Sequence, residues 1–477
     1  MLITRKLLRR EIRYESVKEE ETNILHQLGY YDKQFEFFSH LHNHQGWIQN
    51  TVAHHLSLDS PDLGHVSDIE DWLHESFDVC VPVTIRPKGI RVILRLPLPY
   101  RVGEDFMPGN GDEKVRYVPI PALYGFALST GETFTCDNLP LLYRWFHSFP
   151  RLACAWLGFP VPSRYVPHQP ARNEHAVTSS YLLLEYIEPT TRGSILSNTW
   201  ADAQNDSKRR ANIFHGLARI LLRSSQTPDP KIGSFIIDPK GYFTLANWPL
   251  SMEIQQLENE HIPTGTPRDY TYSTVDSYVT DIFDCHDCRF RHQPNAINDL
   301  GDCLFQLASL AGMRTVSKSI FQKGLRRGPF VFSLTDLHQR NIFVDADWDA
   351  TCLVDLEWTC ALPVEMVRPP YWLTNMGVDE LVASESDPVC TEFMDALVAE
   401  EKAIAVTASH SNKSPPLLSE IMQKAWATGT FWYTLALFSP SGLFMIFKQH
   451  VRPLFAKIRD IGRIAAEKLF DRKQYDR

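Results

Sequence analysis

The sequence predicts an α+β protein in which a small strand-rich lobe precedes a larger helical one. Three observations carry this. Runs of β-forming residues cluster between positions 77 and 187. The apolar periodicity turns helical after Pro189. A short hairpin bearing Asp and Asn interrupts the helical half at 341–355.

Residues 1–75 read as a mostly helical extension, with Leu25, Leu28, Tyr31, Phe35, Phe38 and Leu41 at helical spacing. The polar stretch 57–67, with Pro61 and Gly64, reads as a linker. A Val-rich strand follows at 77–85. Pro87-Lys88-Gly89 is a turn, and 90–96 is a second strand ended by Pro97 and Pro99. A short strand is expected at 123–127, an irregular insert at 131–175, and an apolar strand at 179–187. Ile213, Leu217, Ile220 and Leu221 mark one face of a helix. A hairpin is expected at 232–245, a helix at 297–324, two strands at 341–344 and 351–355, and helices from 388 to 473.

The chain has 477 residues, of which 44% are hydrophobic and 22% charged, the balance of a globular protein with room for two or three lobes. A net charge of -9 weighs against a general nucleic-acid binder. Nine scattered cysteines, an odd number, read as a reducing compartment. No apolar run approaches the ~18 residues that span a bilayer. The cytoplasm is the expected location, with the mitochondrion second, because the basic N-terminus is soon followed by Glu11, Glu15, Glu19, Glu20 and Glu21.

The segment richest in chemistry is Thr335-Asp-Leu-His-Gln-Arg-Asn-Ile-Phe-Val-Asp, continued by Leu353-Val-Asp-Leu-Glu-Trp. Asp336 precedes Asn341 in an Asp-x-x-x-x-Asn spacing. Asn341 opens one strand and Asp355 closes the next. Phosphoryl transfer needs these types: a carboxylate to accept the proton of an attacking hydroxyl, and an amide oxygen with a second carboxylate to hold magnesium.

These residues resemble the catalytic loop and metal strand of aminoglycoside phosphotransferases and their choline-kinase and fungal phosphotransferase relatives. The resemblance implies a protein-kinase-like bilobal fold with an N-terminal helical extension. It divides the chain into the extension at 1–75, an N-lobe with an insert at 76–188, and a helical C-lobe at 189–477. It implies Asp336 as the catalytic base and Asn341 and Asp355 as magnesium ligands. Within 90–97, Arg95 resembles the strand cation that holds phosphate, though an arginine is not equivalent to the usual lysine. The stretch from Tyr181 to Glu188 resembles the hinge strand whose backbone holds adenine, with Glu185 and Ile187 as the contact positions.

Three departures from the family stand out. Leu334 replaces the histidine usual two positions before the base. The strand pair beginning at Phe77 lacks a Gly-rich signature. Gly111-Asp-Glu113-Lys-Val-Arg-Tyr117 leaves no room for the helix that carries the glutamate partner of the strand cation. Either Glu113 serves from a shortened turn or the helix is missing.

The resemblance therefore implies ATP- and Mg2+-dependent phosphotransfer to a hydroxyl of a small molecule. The alternative classes are a catalytically impaired pseudokinase that binds or scaffolds, and a helical interaction protein. Cys285-His286-Asp287-Cys288 with His292 lacks a second ligand pair and reads as free cysteines on a helix. Trp426, Phe431, Trp432, Tyr433 and Phe438 read as core of the helical lobe.

Overall fold

The computed structural model describes residues 4–17, 20, 22–74, 76–111, 121–135, 149, 151–154, 156–157, 161–168, 179–238, 241–378, 380–407, 417–440 and 442–455. Its architecture is an α+β fold in which a sheet-rich part precedes a mainly helical part. A hairpin of β1 (Thr4–Lys6) and β2 (Glu11–Arg13) leads to helices α1 (Tyr30–Asn43) and α2 (Gln45–Leu56). Strands β3 (Gly64–Val66), β4 (Leu73–His74), β5 (Asp78–Ile85), β6 (Ile90–Pro97), β7 (Leu123–Ala127), β8 (Thr133–Thr135), β9 (Val166–His168) and β10 (Tyr181–Glu185) form one eight-stranded sheet. Its order is β3-β5-β6-β10-β7-β8-β9, with β4 also paired to β5.

Strand periodicity decides what each face of this sheet does. Val79, Val81 and Val83 pair with Leu96, Leu94 and Val92 in antiparallel register. All six are buried in one cluster with Tyr30, Leu41, Ile48 and Val52 of α1 and α2. The first two helices thus form the layer that covers the sheet. The alternate positions, Asp78 and Cys80 opposite Pro97 and Arg95, fall on the other face. The stretch read as a linker carries β3. Gly64 and Val66 are buried and His65 is exposed, an alternation too short to stand out in the sequence. Two strands within the expected insert, β8 and β9, extend the sheet.

Helix α2 is pinned to the sheet by His55, whose Nε2 lies 3.0 Å from the Tyr181 hydroxyl. Gly125 on β7 makes room for this ring. A Cβ there would stand 2.1 Å from His55 Nδ1, so the glycine is required by close approach.

The larger lobe begins with β11 (Ser194–Ile195) and α3 (Ser207–Ser225), whose first turn is capped by the Asp206 carboxylate. There follow β12 (Pro228–Asp229), the hairpin β13 (Ser234–Ile237) and β14 (Phe243–Asn247), α4 (Met252–Asn259), α5 (Val275–His292) and α6 (Leu300–Ile320). The chain then runs through β15 (Phe330–Leu334), β16 (Ile342–Val344), β17 (Ala350–Leu353) and β18 (Thr359–Pro363). It continues as α7 (Ala383–Thr407), α8 (Leu418–Thr428) and α9 (Thr430–Leu437). Ile213, Phe214, Leu217 and Leu221 of α3 are buried with Phe393 and Leu397 of α7, whereas Ile220 lies at the edge. Phe431, Trp432 and Tyr433 lie in the second core of this lobe, with Trp426 and Phe438 packed against it. Among the described residues no helix is long and apolar enough to cross a membrane.

The Cys-x-x-Cys segment lies on α5. Cys285 and His286 are buried, and the His286 Nε2–H donates to the Leu437 carbonyl at 2.8 Å. Burial, more than any other influence, pushes the His286 pKa down to about 4. The folded state therefore binds fewer protons than the unfolded state between pH ~6.5 and about 4. Stability is fully present above ~6.5 and falls as pH drops through that window. A native-minus-His286→Gln comparison of urea midpoints from pH 7.5 to 4 should show a steeper acid loss in the native chain, approaching roughly 3 kcal/mol. Parallel curves would remove His286 as the cause.

Candidate active site

Two antiparallel pairs hold the loop that carries the chemistry. β15 pairs with β18, and β16 pairs with β17. Leu334 ends β15 opposite Thr359 and is fixed there by strand pairing. Bracing comes from other groups. The Thr335 hydroxyl donates to the Trp358 carbonyl, and the Trp372 indole N–H donates to the Leu337 carbonyl at 2.7 Å. The Asn341 Nδ2 donates to the backbone oxygen of Asp336 at 3.0 Å and to its Oδ2 at 3.2 Å. The Val354 N–H donates to the Asn341 carbonyl at 2.9 Å, tying the chain beside Asp355 to the loop.

Asn341 closes a short turn just before β16, rather than opening the strand. Asp355 lies two residues beyond β17 in the left-handed region, at φ 56°. An aspartate tolerates that conformation better than most residues, and such outliers concentrate at functional sites. Burial, and next the carboxylates of Glu357, Glu253 and Asp355, push the Asp336 pKa up to about 7. Asp336 is thus poised in the range where a general base works.

Arg95 reaches the same place from the sheet. Its Nη1 lies 2.6 Å from Asp355 Oδ1, and its Nη2 donates to Asp78 Oδ2 at 2.7 Å and to Glu357 Oε1 at 2.8 Å. All four side chains are nearly buried. Burial alone would lower the Arg95 pKa. Asp355, Asp78 and Glu357 outweigh it and hold the guanidinium well above its ordinary value. Glu113, the candidate partner for Arg95, lies outside the described residues. Asp78, two residues from the register partner of Arg95 and on the same sheet face, pairs with the cation instead. The sequence offered one signal for this: a lone acid opening a Val-rich strand.

Glu185 and Ile187 lie at the end of β10. The Glu185 N–H donates to the Ala122 carbonyl at 2.9 Å, and the Tyr186 N–H donates to the Arg91 carbonyl. The Ile187 N–H has no hydrogen bond to a described residue. Arg91 stiffens this connection. Its guanidinium forms a two-pronged pair with Glu188 and stacks 3.9 Å from the Tyr186 ring.

The donors near Asp336 are hard oxygens, which suit magnesium. Asn341 engages Asp336 through Nδ2, and its Oδ1 makes no hydrogen bond to a described residue. Among the described residues no group of three or more His, Cys, Asp or Glu is arranged to hold a metal ion.

No protein-family model and no curated protein matches the sequence. Solved structures are similar to it, two among them as follows. The ethanolamine kinase of Plasmodium vivax is 12% identical, covers 84% of this chain and 85% of its own, and superposes with a TM-score of 0.38. A macrolide 2'-phosphotransferase of type I is 11% identical, covers 82% and 90% respectively, and gives a TM-score of 0.30.

Removing Arg95 leaves three converging carboxylates without a counter-charge. Arg95→Met should lower the unfolding free energy at pH 7 by about 3–5 kcal/mol, as for other broken buried ion pairs. Millimolar Mg2+ should raise the melting temperature of the variant more than that of the native chain. Equal stability of the two proteins without metal would show that the clamp is energetically idle.

Proposed function

We propose that this chain transfers the γ-phosphoryl group of ATP, with Mg2+, to a hydroxyl of a small molecule. The observation that carries the reading is the meeting of Asp336, Asn341 and Asp355 beside the β15–β18 and β16–β17 strand pairs, with Arg95 entering from the sheet. Asp336 receives the proton as the acceptor oxygen forms its bond to the γ-phosphorus. The bond between that phosphorus and the β,γ-bridging oxygen breaks, and ADP leaves with the electron pair. Asn341 and Asp355 would hold the magnesium. Bound there with the nucleotide, it supplies charge neutralisation of the phosphates. Arg95, paired with Asp355 at 2.6 Å, would hold that carboxylate in place beside the proposed metal position. The Glu185 carbonyl and the Ile187 N–H are the proposed adenine contacts on the stiff β10 connection.

A second reading, a nucleotide-binding or scaffolding module without turnover, is favoured by one contact. Asp355 is already paired with Arg95 at 2.6 Å, so metal must compete for that carboxylate.

Thermal-shift titration with Mg-ATP separates the readings. At about 100 times its dissociation constant a ligand stabilises by roughly 2.7 kcal/mol. The native chain should show such a shift and Asp355→Asn should lose it. Asp336→Asn should keep the shift while phosphotransfer, measured as ADP release, falls by roughly 10²–10⁴-fold. A shift in the native chain without turnover on any hydroxylated compound leaves the scaffold reading. Equal behaviour of both variants and the native chain refutes the site.

A further inference from the structure

Near Asp336 lies a second group of titratable side chains that the reaction above does not use. Glu253 stands in the first turn of α4, and Arg368 and Tyr371 follow β18. Glu253 and Tyr371 are within electrostatic reach of both Arg368 and Asp336. All three residues are only partly buried.

Arg368 is the unusual member. Among the described residues its guanidinium makes no hydrogen bond and no ion pair, and its Nη1 is buried without a partner. Its neighbours are the Phe438 ring, 5.7 Å away, and the Glu253 carboxylate, which is close enough to favour its charge but not to form an ion pair. An arginine stays charged and offers five donors in a fixed fork. Leaving such donors unmatched inside a protein is costly, and folded chains rarely do so without a ligand to match them. Arg268 makes the contrast. It also has an unmatched Nη1, but its Nη2 is bonded to Asn110 and Glu258.

We propose that Arg368 and Tyr371 form the anion-recognising end of the acceptor subsite, so that the acceptor is a small hydroxylated oxoanion, a carboxylate or a phosphate ester. This rests on the phosphotransfer reading for its orientation. The oxoanion sits on the Arg368 fork, and a hydroxyl of the same molecule faces Asp336. Burial pushes the Arg368 pKa down and Glu253 opposes that shift, and the same carboxylate repels a second anionic group.

The test is a thermal-shift and turnover panel, each compound added with and without Mg-ADP or Mg-ATP. Glycerate and homoserine supply the carboxylate arm and glycerol 3-phosphate the phosphate arm. Glycerol, ethanolamine and choline serve as uncharged and cationic comparators. At least one oxoanion should stabilise the native chain. Arg368→Met should weaken that response by about tenfold or more, with the Mg-nucleotide affinity unchanged. Arg368→Met removes an unmatched buried charge, so it should melt no lower than the native chain without ligand. Should it fail to fold, Arg368→Lys, which keeps the charge but loses the fork, should show the same selective loss. Three results overturn the proposal: no oxoanion stabilises the native chain, ethanolamine or choline does so instead, or the variants respond to oxoanions as the native chain does. A drop in Mg-nucleotide affinity in Arg368→Met would also overturn it, by moving Arg368 to the nucleotide. An oxoanion response that depends on Arg368, in a chain that ignores Mg-ATP, upholds the subsite and removes the phosphotransfer reading.

Discussion

The rest of the site depends on the ion cluster around Arg95. One guanidinium from the sheet meets Asp78 of the neighbouring strand and Asp355 and Glu357 of the turn after β17. Three carboxylates could not be brought this close in a poorly hydrated place without a cation. The attraction grows as water is excluded, and so does the cost of leaving any member unmatched. The cluster therefore ties the sheet to the turn that carries Asp355 and Glu357. It also fixes the register that matters most, because a one-residue slip of β5 against β6 would send Asp78 to the helix-covered face.

The same concentration of acids shapes the reactive group. Asp336 lies beside Glu357, Glu253 and Asp355, and burial adds to their effect. Arg95 neutralises Asp355 and Glu357 directly and touches neither Asp336 nor Glu253. The carboxylates paired with the cation are thus set apart from Asp336, whose pKa is pushed up. Environment rather than residue type sets these two roles apart.

The covering of the sheet shows how the sequence order builds this platform. Helices α1 and α2 come first in the chain and bury the odd-numbered face of β5. That leaves the even-numbered face to carry Asp78 toward the cleft. The contact of His55 with Tyr181 and the glycine at 125 fasten this layer to the strand that ends at Glu185. What resembled an appendage in the linear reading is part of the wall behind the site.

The sequence by itself determined the order of strand-rich and helical regions, the main strands and helices, and the candidate set Asp336, Asn341 and Asp355. These are legible because short-range periodicity and fixed spacing within one hairpin are local properties. The burial of α1 and α2 against the sheet, the strand hidden in the polar stretch 57–67, and the lateral extension by β8 and β9 were decided only in three dimensions. So was the partner of Arg95. Asp78 and Arg95 are 17 positions apart and Arg95 and Glu357 are 262 apart. Pairing across such separations follows from strand register and lobe packing, which no local pattern encodes. The unmatched guanidinium of Arg368 belongs to the same class, because whether a buried charge has a partner is a property of its surroundings and not of its neighbours in the chain.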